Sequence, residues 1–224
     1  MKLEAWVGLE SNPEVMTQYA AKLGVDSSWG FTDCWGLDAE ALKHVPQPCV
    51  AAIFLYPFTQ LEARKRALGT HRGTAVHEVW YMQQTVGNSC GAVAIMHAVM
   101  NNLNRLGRSS FLDKFRESTE GASAHDRGKG FASAVREIHS GIAPSGQTDA
   151  PTPAADLDFH FVALVQVNGR LYELDGNNDG PVDSGAVGDE GFLDAVVRHV
   201  KLAYIEPFPD SHFSLITLGP KQAA

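Results

Sequence analysis

Two apolar runs, DFHFVALVQV and RLYELDG, are separated by the dipeptide Asn168-Gly169. No other feature constrains the fold as tightly. A type I′ turn needs positive φ at both central residues, and Asn-Gly adopts that conformation at little cost. A two-residue turn also leaves no freedom in register. Val167 must face Arg170, and pairing then runs outward residue by residue. His160 is thereby predicted to face Asn177, with Asp175 its diagonal neighbour on the same face. Diagonal pairs lie roughly 7–8 Å apart, within reach of an imidazole–carboxylate hydrogen bond. Asp158 shares that face, two residues back on the same strand, and rivals Asp175 for the imidazole.

The rest of the chain supplies elements for this hairpin to pack against. Asn12, Pro13 and Glu14 open a helix over residues 12–23 that Gly24 ends, because Asn caps well and Pro suits the first helical position. A short helix is predicted over 38–44 and a buried strand over Cys49–Tyr56. Residues 60–75 are charged, show no apolar stripe and read as solvated. His77–Gln83 reads as a second strand. Helical spacing returns over 90–103 and, more weakly, over 111–118 and 129–139, with GASAHDRGKG between the last two read as a turn or loop. Residues 140–157 hold three prolines and read as an irregular loop. A helix over 190–201 and a strand over 212–218 complete the chain. This order predicts an α/β fold, more narrowly α+β, with a central, mostly antiparallel sheet flanked by helices. No internal boundary is visible, so residues 1–224 are expected to form one domain.

Composition removes several function classes. The longest apolar stretch, Cys49–Tyr56, is far short of the roughly 20 residues a membrane helix needs. MKLEAWVGLE lacks the apolar core of a signal peptide, so the expected location is the cytoplasm, with the nucleus also open. A net charge of −8 argues against nucleic acid. The three cysteines show no CxxC spacing, and HExxH, P-loop and GxGxxG motifs are absent. No metal and no cofactor are therefore expected.

Cys90, in YMQQTVGNSCGAVAIMHAVMNN, differs from Cys34 and Cys49. It opens a helix, where the macrodipole and free N–H groups favour a thiolate. Small residues on both sides leave room for a second chain to approach it. A thiolate nucleophile needs a base, and the base needs an orienting partner. His160 and Asp175 fit those roles. The backbone N–H of Cys90 is one donor for an oxyanion, and Gln84, with Gln83 as its rival, is a candidate second. His97 lies two turns along the same helix, too far to serve as base, and reads as helix packing or as a support behind the site residues.

Taken together, QTVGNSCGAVAIMHAV, LDFHFVALV and LYELDG resemble the active-site segments of the ubiquitin C-terminal hydrolases, papain-like thiol peptidases. The resemblance extends to LESNPEV, WGFTD, VPQP and the closing strand. It implies the order Gln84, Cys90, His160, Asp175 as catalytic quartet and a papain-like, knotted chain. It implies cleavage of small or unfolded adducts from the C-terminal glycine of ubiquitin through a thioester, by a monomer. It further implies ubiquitin contacts at Leu9, Glu10, Asn12, Asp33, Gly146, Gln147, Thr148 and Phe213, and a loop over the cleft between about Ser140 and Asp156. Ubiquitin-like modifiers are further candidate partners. A non-catalytic ubiquitin-binding module and a general papain-like peptidase remain as alternatives.

Overall fold

The computed structural model describes residues 4–68, 73–107, 109–147 and 158–222. The strands are β1 Trp29–Asp33, β2 Ala51–Pro57, β3 Phe159–Val167, β4 Arg170–Leu174, β5 Val182–Ala186 and β6 Ser214–Pro220. The helices are α1 Pro13–Leu23, α2 Ala39–Leu42, α3 Phe58–Leu68, α4 Cys90–Met100, α5 Leu103–Leu106, α6 Ser110–Ser118, α7 Ala124–Ile142 and α8 Phe192–Val200. The strands form one sheet in the order β1-β6-β2-β3-β4-β5. Every pairing among the described strands is antiparallel.

The sheet carries a hydrophobic layer on each face, and the side-chain alternation of its strands assigns them. Ala51, Ile53, Phe161, Ala163 and Val165 point to the layer that holds α1, α4 and α7. Ala52, Phe54, Tyr56, Val162 and Leu164 point to the layer that holds α8 and Leu61 of α3. Both faces are buried, which is why β2 and β3 read as unbroken apolar runs.

Local chemistry acts as the sequence predicts at several points. Asn12 accepts from the N–H groups of Glu14 and Val15 at 2.9 and 3.3 Å, and Gly24 ends α1 at φ +97°. Asn168 and Gly169 both take positive φ, and Val167 pairs with Arg170.

Four expectations are corrected. GASAHDRGKG is a turn only at its start. Ser123 accepts from the N–H of Asp126 at 3.1 Å, and α7 runs on from Ala124 through Ile142. The buried face of α7 is Gly128, Phe131, Ala132, Val135, His139 and Ile142. Its spacing is helical, but glycine and histidine hold two of the positions, so an apolar pattern is faint. The predicted irregular loop is therefore helical to Ile142 and a 3₁₀ turn over Ala143–Ser145; its residues 148–157 lie outside the described residues. His77–Gln83 forms no strand. Side chains satisfy part of its backbone instead: Trp80 N–H donates to the Asn101 amide oxygen at 2.9 Å, and the Asn101 amide returns a bond to Trp80 C=O at 2.9 Å. Residues 60–75 also depart from the solvated reading, since Leu61, Glu62 and Lys65 on α3 are buried.

Glycine inside a helix normally costs about 0.5–1 kcal/mol relative to alanine. Gly128 is the exception, because a Cβ there would lie 2.0 Å from the Gln83 carbonyl oxygen. Gly128→Ala is thus expected to lower the unfolding midpoint despite its better helix propensity. Overpacking of this kind costs about 1–3 kcal/mol, read by chemical denaturation. A midpoint that rises would show that α7 shifts freely.

Candidate active site

Cys90 is the first residue of α4. Ser89 does not cap the helix with its side chain but donates to Val86 C=O at 2.8 Å. At the first turn the Gly91 N–H is left to bond the thiol. At Gly91 a Cβ would sit 3.1 Å from Leu9 Cβ and 3.3 Å from Phe161, so glycine lets both approach the chain beside Cys90.

His160 stands near the start of β3, opposite Tyr56 of β2. Strand parity places it in the layer of Tyr56 and Val162, whereas α4 packs on the other layer. The two meet at the start of β3, where Cys90 engages both the imidazole and the Phe161 N–H. His160 Nε2 lies 2.7 Å from Asp175 Oδ1. With the proton on that nitrogen, Nδ1 is the one left for the thiol. Tyr56 and Phe58 pack on the ring at 5.6 and 5.2 Å.

The predicted ladder does not reach this pair. β3–β4 pairing ends at Ala163–Leu174, so His160 has no partner in Asn177. The chain turns at Asp175 instead. Asn178 N–H bonds Asp175 C=O, and Asn177 N–H bonds Asp175 Oδ1, both at 2.9 Å. That turn aims the carboxylate at His160. Asp158, the rival, is exposed and accepts from the Thr59 N–H at the start of α3 at 2.9 Å.

Gln84 is tied to the same turn by its N–H, which donates to Gly176 C=O at 2.8 Å. Gly176 has no room for a side chain between Val93 and Gln84. The Gln84 amide donates to Val86 C=O at 3.0 Å, a bond it would exchange to reach an oxyanion. Gln83 points elsewhere, to Asn178 C=O at 3.3 Å. His97 is buried, contacts the Met82 backbone and stacks on Tyr81 at 5.1 Å. It touches neither Cys90 nor His160 in any described contact, and burial lowers it to about 4.

Of the residues predicted to meet ubiquitin, Leu9 is buried against Gly91 and Glu10 lies against Gly146. Asn12 uses its side-chain oxygen as the α1 cap. Asp33 ends β1 half-buried, its carboxyl raised by burial. Phe213 stacks on Phe54 at 5.6 Å. Gln147 is exposed, and Thr148 lies outside the described residues.

The sequence reading missed a buried polar cluster behind His160. Lys65 Nζ lies 2.7 Å from Asp175 Oδ2, 3.1 Å from Glu173 and 3.6 Å from Glu62. Tyr56 OH lies 3.1 Å from Glu62 and 3.3 Å from Asp175 Oδ2. His199 meets Glu173 at 2.8 Å. The only trace in the sequence is that Lys65 shares a helix face with Leu61 and Glu62.

Electrostatics follow from this arrangement. Burial opposes charge on Cys90, but the His160 hydrogen bond and charge prevail, so the thiol is lowered. Burial likewise opposes charge on His160, yet Asp175 prevails and raises it to about 10. Asp175 resists burial because His160 and Lys65 hold its carboxyl far below the usual range. The thiolate–imidazolium pair thus occupies the window between a lowered thiol and a raised imidazole. Alkylation of Cys90 by iodoacetamide is expected to keep its rate through neutral pH and fall only in acid. A rate that first rises near pH 8–9, where ordinary thiols ionise, would exclude the pair. Among the described residues no group of His, Cys, Asp and Glu is arranged to hold a metal ion, and no helix is long and apolar enough to cross a membrane.

Comparison with known proteins gives the chemistry a context. A family model described as ubiquitin carboxyl-terminal hydrolase, family 1, matches residues 6–206. The chain is 37% identical over 202 residues to a ubiquitin carboxyl-terminal hydrolase of Aplysia californica, covering 88% of this chain and 94% of that one. It is 38% identical over 192 residues to the Homo sapiens isozyme L1, covering 83% and 85%. Its fold resembles the catalytic domain of Trichinella spiralis UCH37 bound to ubiquitin vinyl methyl ester, with TM-score 0.76, 23% identity and 96% of each chain covered.

Proposed function

The chain belongs to family 1 of the ubiquitin carboxyl-terminal hydrolases, and from that membership we propose that it is a cysteine deubiquitinase whose nucleophile is Cys90. The observation that carries the assignment of residues is the unbroken line from Cys90 through His160 to Asp175. Cys90 Sγ attacks the carbonyl carbon of ubiquitin's terminal glycine. The C–N bond breaks as the His160 imidazolium gives its proton to the departing amine. Water then attacks the thioester, passes its proton to His160, and the thiolate leaves. Asp175 holds the imidazole throughout. The Cys90 N–H and the Gln84 amide receive the oxyanion.

The adducts removed are small amides, short peptides or unfolded chains, and ubiquitin-like modifiers are further candidates. The enzyme works as a monomer in the cytoplasm, with the nucleus a second site. Ubiquitin's C-terminal tail is basic, and the net charge of −8 suits it. Asp33 is the carboxylate that meets that tail, and Leu9, Glu10, Gly146 and Phe213 border the approach. A purely binding module has no use for a thiol lowered by a buried imidazole, which disfavours that alternative.

Ubiquitin carrying a C-terminal vinyl electrophile tests the reading. The expected product is a one-to-one adduct whose peptide map places the modification on Cys90. Labelling elsewhere, or none from ubiquitin with equal labelling by a short peptide electrophile, would replace this function with a general peptidase or none.

A further inference from the structure

We infer that Lys65 is a positioning residue for the catalytic carboxylate: it clamps Asp175 Oδ2, leaving Oδ1 alone to orient His160. The inference rests on the peptidase reading above and adds a residue to it. The geometry is complete on both oxygens. Oδ1 lies 2.7 Å from His160 Nε2 and accepts the Asn177 N–H at 2.9 Å. Oδ2 takes Lys65 Nζ at 2.7 Å and faces Tyr56 OH at 3.3 Å. The carboxylate cannot rotate about its Cβ–Cγ bond without breaking bonds on both sides.

Charge gives the second reason. Asp175, Glu173 and Glu62 are all buried, and Lys65 Nζ is within salt-bridge distance of each. Buried charges persist only when paired and hydrogen-bonded. Without that ammonium, Asp175 and Glu173 would be left with His160 and His199, and Glu62 with the exposed Arg66 at 3.9 Å, and one of the three carboxylates would take up a proton. A proton on Asp175 would turn an acceptor for His160 into a competitor. Burial would drive Lys65 itself neutral, but Glu173 and Asp175 hold it charged. The groups that face it from every side are Tyr56 on β2, Glu62 on α3, Glu173 on β4 and Asp175 just beyond. Among the described residues, His160, Tyr81, His199 and Tyr204 lie in the same cluster, with Arg66 on Glu62.

The placement also explains a feature of α3. Arg66 is exposed, yet Leu61, Glu62 and Lys65 are turned inward. Beside the apolar contacts of Phe58 and Leu61, this ion cluster helps hold the register of the helix.

The test is a mutant cycle on hydrolysis of a fluorogenic ubiquitin C-terminal amide. Lys65→Met keeps the length of the side chain and removes the charge. The expected loss is about 10²-fold in kcat, within the 10²–10⁴ that positioned proton transfer supplies, with KM and ubiquitin affinity unchanged. The acid limb of kcat moves to higher pH, because removing a cation raises every nearby acid. In an Asp175→Asn background the same substitution costs nothing further, since residues acting through one another are non-additive. Near wild-type kcat in Lys65→Met, an unmoved acid limb, or a loss that multiplies with Asp175→Asn would overturn the inference. If Lys65→Met does not fold, Lys65→Met with Glu62→Gln removes one carboxylate with the cation and is held to the same criteria. Alkylation of Cys90 by iodoacetamide separates the two claims. If wild-type protein shows no Cys90-dependent hydrolysis, the peptidase reading falls. The pH midpoint of alkylation still rises in Lys65→Met if the clamp is real, and stays put if it is not.

Discussion

Cys90→Ala is expected to show no measurable hydrolysis of a ubiquitin C-terminal amide while binding ubiquitin with wild-type affinity. The substitution removes one sulfur. α4 keeps its first turn, because Ser89 is held by Val86 and not by the thiol. Leu9 and Phe161 keep their contacts with Gly91. His160 and Asp175 retain their own bond at 2.7 Å. What disappears is the atom proposed to form the acyl-enzyme, and deleting a covalent nucleophile typically lowers kcat by about 10⁶. Single-turnover assays at high enzyme concentration, paired with calorimetric titration of ubiquitin, separate chemistry from binding. Turnover near wild type would remove Cys90 from the chemistry.

Asp175→Asn is expected to lower kcat by about 10³–10⁴, the scale associated with presenting the wrong imidazole tautomer. The structure decides which way the new amide points. Lys65 is a donor without an acceptor, and it lies 2.7 Å from one oxygen. The amide oxygen must stay there. The NH₂ group therefore takes the place of Oδ1 and faces His160 Nε2 and the Asn177 N–H. Two donors then oppose each other at Asn177, and Nε2 can only accept. The ring proton moves to Nδ1, so the imidazole meets Cys90 as a donor and cannot take the thiol proton. The Asn177 N–H also loses its acceptor, and because Asn177 is exposed it turns to water, so the fold loses only about 0.5–1.5 kcal/mol, the net worth of one hydrogen bond. Kinetics with nitrogen NMR of the imidazole reads both effects. Wild-type turnover, or an unchanged tautomer, would show that Asp175 does not orient His160.

The chain itself specified whatever depends on a few neighbouring residues. Asn168-Gly169 set the hairpin register, because positive φ is a local property. Asn12 and Gly24 bounded α1 through bonds that reach only three or four residues. The apolar spacing after Cys90 placed the thiol at a helix start, and the motifs around Gln84, Cys90, His160 and Asp175 were ordered enough to name a family. Other features depended on packing. Asp175 reaches His160 through a turn that follows the last ladder pair, not through the ladder that first suggested it. Gly128 and His139 lie on the buried face of α7 because other segments press against them, so no apolar stripe announces that helix. β1 and β5, at the sheet's edges, are short and only partly buried, and their pattern is too weak to read alone. Lys65 is the clearest case. It stands in a charged stretch that looks solvated, and its partners Glu173 and Asp175 lie more than a hundred residues away. A charge becomes structural only when folding removes its water and supplies its counter-charges together, and no local pattern records that.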